Sequence, residues 1–300
     1  MKIMLKVLCI GDVMLDVIAL VPAAITYGSD NPSQVSTHSG GAAGNVASWV
    51  KASGVDSHVV ARVGNDAAGI AVLADLDHLG VTHSSEVIDG VRTGVVVILV
   101  DPSGERTMFP ETAANAGLSV RDLPALDGFG AVYLSGYALL NLRSRPGVLE
   151  MISEIARRNI PIFFDPTTIG GMNQASIEEV RGWLPMMDTL IMNEEEALFL
   201  AGNENVEEAL DLLLAYSPTV VIKRGSLGAI GKSRNSHSLS LPAISAKLVD
   251  STGAGDSFAG GYIAQWLRDR DLNKCMSAGI RVAATCVAIV GARPHVTTVI

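Results

Sequence analysis

Short runs rich in β-branched and aromatic residues alternate with stretches of helical spacing through most of this 300-residue chain, and few folds accommodate that alternation. Residues 5–10, 58–63, 131–134, 161–164, 189–192 and 219–223 read as buried strands. Between them, residues 42–52, 67–79, 146–158, 177–184 and 206–216 carry apolar side chains at helical intervals. Such an order closes as right-handed βαβ units, so the expected fold is α/β: a doubly wound, mostly parallel sheet flanked by helices. Two segments break the alternation: 13–21 followed by 34–38, and 94–100 joined to 106–109 through Asp101-Pro102-Ser103-Gly104. Pro presets φ at the second position of that turn and Gly accepts a positive φ, so the second segment reads as a hairpin. Both segments are assigned to a small β-sheet lid, over about residues 13–38 and 92–110, on a single domain spanning 1–300. Two long helical patterns, 254–268 and 272–290, close the chain after the turn-rich stretch 250–255. No internal repeat or Pro/Ser linker marks a second domain.

Composition narrows the function class. Glycine makes up 30 of 300 residues, with 48% of the chain hydrophobic and 18% charged, the mark of a packed, glycine-punctuated enzyme and not of a disordered chain. Twenty-two Lys and Arg against 31 Asp and Glu leave a net charge of -9, which repels polyphosphate backbones and argues against a nucleic-acid partner. Cys9, Cys275 and Cys286 show no C-x-x-C spacing, so neither a disulfide framework nor a zinc site is suggested, and a reducing compartment fits. Asp12 and Asp16 interrupt the apolar N-terminus, so it does not read as a signal peptide, and no run of about 18 apolar residues suggests a membrane span. A cytoplasmic location is expected. The six histidines form no H-E-x-x-H pattern.

The sharpest chemical signal is Asp250-Ser251-Thr252-Gly253-Ala254-Gly255-Asp256, followed by a helix-compatible run. Two glycines flanking an alanine at a helix start leave backbone N–H groups uncovered, and the helix dipole adds about half a positive charge there. An anion belongs at that point. Asp256 just inside the helix either complements the dipole or has a proton to accept.

This stretch resembles the C-terminal signature of the ribokinase-like (PfkB) family of carbohydrate kinases. Gly40-Gly41-Ala42-Ala43-Gly44-Asn45-Val46-Ala47 resembles the family's N-terminal signature. The resemblance implies that Gly41 lets the backbone approach a sugar and that Asn45 bonds its hydroxyls. Asp16, in Gly11-Asp12-Val13-Met14-Leu15-Asp16, matches the family's sugar-binding acid, and Asp12 would assist it. Asn193-Glu194-Glu195-Glu196 matches the N-x-x-E motif that organises Mg2+ and phosphates, with Glu196 and Asn193 acting through water. The same residues also read as an Asn cap on a helix with an acidic first turn. Lys223-Arg224-Gly225-Ser226-Leu227-Gly228 resembles the family's ATP loop, with Lys223 near phosphate and Gly225 and Gly228 close to the nucleotide. Arg62-Val63-Gly64-Asn65-Asp66-Ala67-Ala68-Gly69 also resembles the family and is given a packing role. Gly231-Lys232-Ser233 mimics the end of a P-loop, but Ser226 replaces its first Gly and no helical pattern follows.

The resemblance spans residues 5–292 and implies an ATP-dependent kinase acting on a hydroxyl of a small sugar. Asp256 would be the general base, and the N–H groups of Gly253, Ala254 and Gly255 the anion hole. Asn193, Lys223, Gly225, Gly228, Thr252, Gly253 and Gly255 would meet ATP, Mg2+ would be the metal, and K+ at Asp250 and Thr252 is a further family trait. Relatives pair their lids between subunits, which implies a homodimer. Asp165-Pro166-Thr167-Thr168 lacks the Arg of fructokinase-like members, which argues against an acidic or ketose sugar and leaves ribose, another pentose or a nucleoside open. An adenosine- or pseudouridine-type nucleoside kinase and a catalytically silent sugar-binding regulator are the alternatives.

Overall fold

The apolar strand runs assemble into one nine-stranded sheet. A computed structural model of the chain describes residues 5–22, 24–103, 105–296 and 298. Lys6–Ile10 lies between Phe129–Ser135 and Ser57–Val60, with the short strand Thr82–His83 beyond the latter. Ile162–Asp165, Thr189–Asn193 and Thr219–Lys223 continue on the other side, and all these pairings are parallel. Two antiparallel strands, Ala229–Ser233 and Leu239–Leu241, finish that edge. The chain therefore winds one way from its first strand and then the other, reversing between Lys6–Ile10 and Phe129–Ser135. In an open α/β sheet the crevice at the carboxyl ends of such a pair is where a ligand fits.

Successive residues of each central strand enter opposite apolar layers. Leu8, Val132 and Phe164 pack under the helices Arg145–Arg157, Ile177–Trp183 and Glu194–Ala201. Cys9, Tyr133 and Phe163 pack under Ala42–Ala52, Ala254–Arg268 and Leu272–Cys286. Burial on both faces is why these strands read as continuous apolar runs. All three cysteines are buried and unpaired.

The two irregular segments form a separate four-stranded lid, ordered Gln34–Gly40, Met14–Leu20, Gly94–Val100, Arg106–Glu111. Met14–Leu20 pairs antiparallel with the first of these and parallel with Gly94–Val100. Gly104 of the hairpin turn lies outside the described residues.

Three readings need correction. Residues 58–63 are not one strand: Ser57–Val60 belongs to the large sheet, and Arg62–Gly64 pairs with Glu86–Ile88 in a two-stranded sheet. The guanidinium of Arg62 takes it out of the core to pair with Asp122 at 2.9 Å and Glu86 at 3.0 Å. The last helix stops at Cys286 because the Val287 carbonyl accepts from Val249 N–H at 2.8 Å and Asp250 N–H at 3.3 Å, tying the chain to the loop ahead of Gly253. The helix starting at Val206 ends at Leu213, before Tyr216.

The helices Ala42–Ala52 and Ala254–Arg268 touch through Gly260, where a Cβ would lie 2.7 Å from Trp49 Cβ and 3.0 Å from the Val46 carbonyl oxygen. The first carries Asn45 and the second Asp256, so this glycine sets the distance between two chemically important side chains. Gly260→Ala should lower stability by about 1–3 kcal/mol through overpacking. The readout is a reduced denaturant midpoint at unchanged slope.

Candidate active site

The carboxyl edge of the sheet delivers the polar residues in turn: Asp12 just past the first strand, then Ser135, Asp165, Asn193 and Lys223 as the last residues of theirs. The Asp12 carboxylate accepts from the Ser135 hydroxyl and from Ala42 N–H, each at 3.3 Å. It thereby ties the crevice to the start of the helix Ala42–Ala52. Gly41, at φ 89°, makes the tight entry to that helix, and a Cβ there would lie 2.5 Å from the Asp12 carbonyl oxygen. Asp16 reaches in from the lid, its carboxylate lying over Gly40, where any side chain would collide with it. Burial pushes the Asp16 carboxyl up to about 7, partly offset by Arg293 and reinforced by Asp12. Burial raises Asp12 as well, against its hydrogen bonds and Arg293.

Gly253, left-handed at φ 76°, starts the helix Ala254–Arg268 and packs against Ala292, whose Cα a Cβ on Gly253 would approach to 2.7 Å. Ser257 N–H closes on Gly253 O at 2.8 Å, so the N–H groups ahead of it form the positive end of the helix. Of these, Ala254 N–H makes a long 3.3 Å bond to Ser251 O. Asp256 stands in this first turn and accepts from the Asn45 amide at 2.8 Å. Its carboxyl is pushed up to about 7: burial dominates, Asn45 and Lys223 oppose it, and Asp165 and Asp12 add to it.

The Lys223 ammonium lies beside the same turn, 3.0 Å from where a Cβ on Gly255 would sit, and pairs with Asp165 at 2.6 Å. Burial works against its charge, but Asp165 and Glu196 outweigh it and raise the pKa. Asn193 and Glu196 form a reciprocal capping box, each side chain accepting from the other's backbone N–H at 2.8 Å. The helix-cap reading of this motif is therefore satisfied. Glu196 is buried, and its pKa is raised by that burial and by Asp165, against Lys223. Gly225 opens a single turn after Lys223, while Gly228 is pressed on the Leu241 carbonyl, where a side chain would collide.

The loop ahead of the helix is closed by Asp250, which accepts from Thr252 N–H at 2.8 Å, Thr252 Oγ1 at 2.6 Å and Gly291 N–H at 3.0 Å. Arg106, from the lid, donates to Thr252 Oγ1 at 2.6 Å, to Asp250 at 3.3 Å and to the Ser251 hydroxyl. Burial would raise Asp250, but Thr252, Gly291 and Arg106 together hold it low. Arg106 and the buried Arg293 carry no motif of their own, and sequence reasoning passes over both. Among the described residues no group of three or more His, Cys, Asp or Glu is arranged to hold a metal.

The pfkB family carbohydrate kinase pattern matches residues 4–298. The chain belongs to that family. This kinase is 29% identical over 268 residues to a fructokinase of Klebsiella pneumoniae, covering 86% of the chain and 83% of the relative. Its fold is that of an adenosine kinase from Sinorhizobium meliloti, with a TM-score of 0.88 at 23% identity and coverage of 97% and 96%. It likewise matches a candidate ribokinase II from E. coli solved in complex with ATP and Mg2+, with a TM-score of 0.85 at 23% identity over 96% and 94% of the two chains. The kinase is a phosphotransferase acting on an alcohol group, and no helix among its described residues is long and apolar enough to cross a membrane.

Lys223→Met leaves Asp165 and Glu196 buried without their cation and should cost about 3–5 kcal/mol. Adding Asp165→Asn should recover part of that loss in a denaturant titration.

Proposed function

We propose that this kinase moves the γ-phosphoryl group of ATP to a hydroxyl of a small uncharged sugar, with Asp256 accepting the hydroxyl proton. One observation carries the reading: a carboxylate poised near neutrality, held by Asn45, at the positive end of a helix with the Lys223 ammonium beside it. Gly41 leads into the helix whose first turns carry Asn45, and Asp16 overhangs the neighbouring Gly40, so hydroxyl-binding groups lie next to the proton acceptor. The amides of Gly253, Ala254 and Gly255 stabilise the charge that grows on the transferred group. Lys223 offers a cation to the phosphates from the same side. Glu196 and Asn193 would hold Mg2+ through water, and the ion would supply positive charge against the phosphates. Arg106 fastens the lid to residues 250–252, and a lid held there would exclude water and protect ATP from hydrolysis.

On the sugar side the carboxylates of Asp12 and Asp16 face inward and Arg293 is committed to protein partners, which favours an uncharged acceptor over an acidic one. Tyr27 and Phe109, the lid-region aromatics, are 92% and 56% exposed, so neither walls a nucleobase in this arrangement. A sugar is favoured over a nucleoside. The assembled Asp256, Asn45 and Lys223 speak against a silent regulator. Val35, Val97 and Phe109 are exposed on the lid and suit a homodimer formed there. Buried free cysteines suit the cytoplasm.

The test is ADP release from Mg-ATP across pentoses, hexoses, ketoses and nucleosides, with and without K+ to probe the Asp250–Thr252 loop. Asp256→Asn should cut turnover by about 100-fold or more; unchanged turnover overturns the base assignment. Since the base must be ionised, turnover should climb as pH rises through about 7. Stability should move the opposite way. Asp256 titrates at about 7 when folded against an ordinary 3.8, so between those values the folded chain binds the extra proton and loses stability as pH rises. Asp256→Asn should therefore melt above the wild type at pH above 7, a difference that shrinks on acidification.

A further inference from the structure

Arg293, six residues beyond Val287, is 6% exposed and belongs to no motif in the sequence, yet it packs against the stretch 40–47. Its three nitrogens go to three different elements. Nε donates to Asn45 Oδ1 at 3.2 Å, Nη1 to Asp75 at 2.6 Å on the helix Ala67–His78, and Nη2 to the Gly40 carbonyl at 2.7 Å at the end of a lid strand. A guanidinium has donors only. Whatever faces Nε must be an acceptor, so Asn45 presents its oxygen there and its NH2 group turns to Asp256, where the bond is 2.8 Å. Reversing the amide would set N–H against N–H on one side and oxygen against carboxylate on the other. Gly44 accommodates this arrangement, since a Cβ there would collide with Nη2.

We infer that Arg293 is a positioning residue for phosphoryl transfer: by fixing the Asn45 amide it orients the Asp256 carboxylate, and by holding Gly40 it keeps the sugar loop in register with that carboxylate. The inference rests on Asp256 being the base. Arg293 touches none of the groups assigned to ATP, so its loss should lower kcat and leave the KM for ATP unchanged. A cavity of about 360 Å³ has Arg293 in its wall, together with His38, Asp75, His78 and the rest of residues 290–296.

Three full-length variants test it with Mg-ATP and ribose, fructose or adenosine as acceptor. Arg293→Lys keeps the charge but has no fork to reach Asn45, Asp75 and Gly40 together, and Gly44→Ala keeps Arg293 but forces it aside. Both should lose about 100-fold in kcat, the scale of a 1 Å misplacement, at unchanged KM for ATP. Arg293→Ala should regain turnover when guanidinium ion is added at concentrations below those that unfold it. A crystal structure of Arg293→Lys should show the Asn45–Asp256 bond broken, whichever acceptor is used. Wild-type kcat in Arg293→Lys, or an intact Asn45–Asp256 bond in its crystal structure, overturns the inference. Asp256→Asn, assayed alongside, separates the two ideas: if it keeps turnover the base assignment fails, and if it alone is inactive only the role of Arg293 fails.

Discussion

Two cations, the half-buried Lys223 and the buried Arg293, hold a cluster of carboxylates in place, and the architecture of the site follows from them. Asp12, Asp16, Asp165, Glu196 and Asp256 all crowd the carboxyl edge of the sheet. Removing such groups from water costs several kcal/mol per ion unless partners compensate. Lys223 attends Asp165 and Glu196, and Arg293 attends Asp75, Asn45 and Gly40. The cations are outnumbered, and burial is only partly offset. Asp16 and Asp256 consequently titrate near 7 instead of 3.8, a useful value for a group that must take up a proton at physiological pH.

Close backbone approach makes that arrangement reachable. Gly260 lets two helices touch, Gly253 turns the chain into the second of them against Ala292, and Gly41 threads the first past Asp12. These contacts set where Asn45 and Asp256 meet, and they leave the first-turn amides of Ala254–Arg268 facing the same point as the Lys223 ammonium. Phosphoryl transfer asks mainly for position and a fixed field, which a rigid edge of strand ends and helix starts supplies. The lid is a separate sheet fastened at this edge. Arg106 ties it to the loop whose next residue is Gly253, so lid position and the geometry of the helix start are mechanically linked.

Several features reach the sequence because they are local. Apolar strands buried on both faces show as continuous runs, and the helices 42–52 and 254–268 have the bounds that helical spacing predicts. The glycine-rich stretches stand out because backbone strain or backbone contact admits no other residue. The run 58–63 misleads because nothing local shows that Arg62 will leave the sheet to meet Asp122, some 60 positions away. The helix 272–290 is read too long because its end is imposed by Val249. The antiparallel edge strands 229–233 and 239–241 are short and carry weak patterns, so their pairing is visible only once Thr219–Lys223 is in place.

By itself, then, the sequence determined the α/β class and the lid segments through periodicity and turn residues, and the stretches around Gly41, Asn45 and Asp256 through their resemblance to the family's two signatures. Tertiary structure alone decided which cations attend the carboxylates. Arg106 and Arg293 meet Asp250 and Asp75 across separations of 144 and 218 residues. A guanidinium carries no periodicity or turn requirement that would announce its partner, and the partner is chosen only when folding buries both charges together.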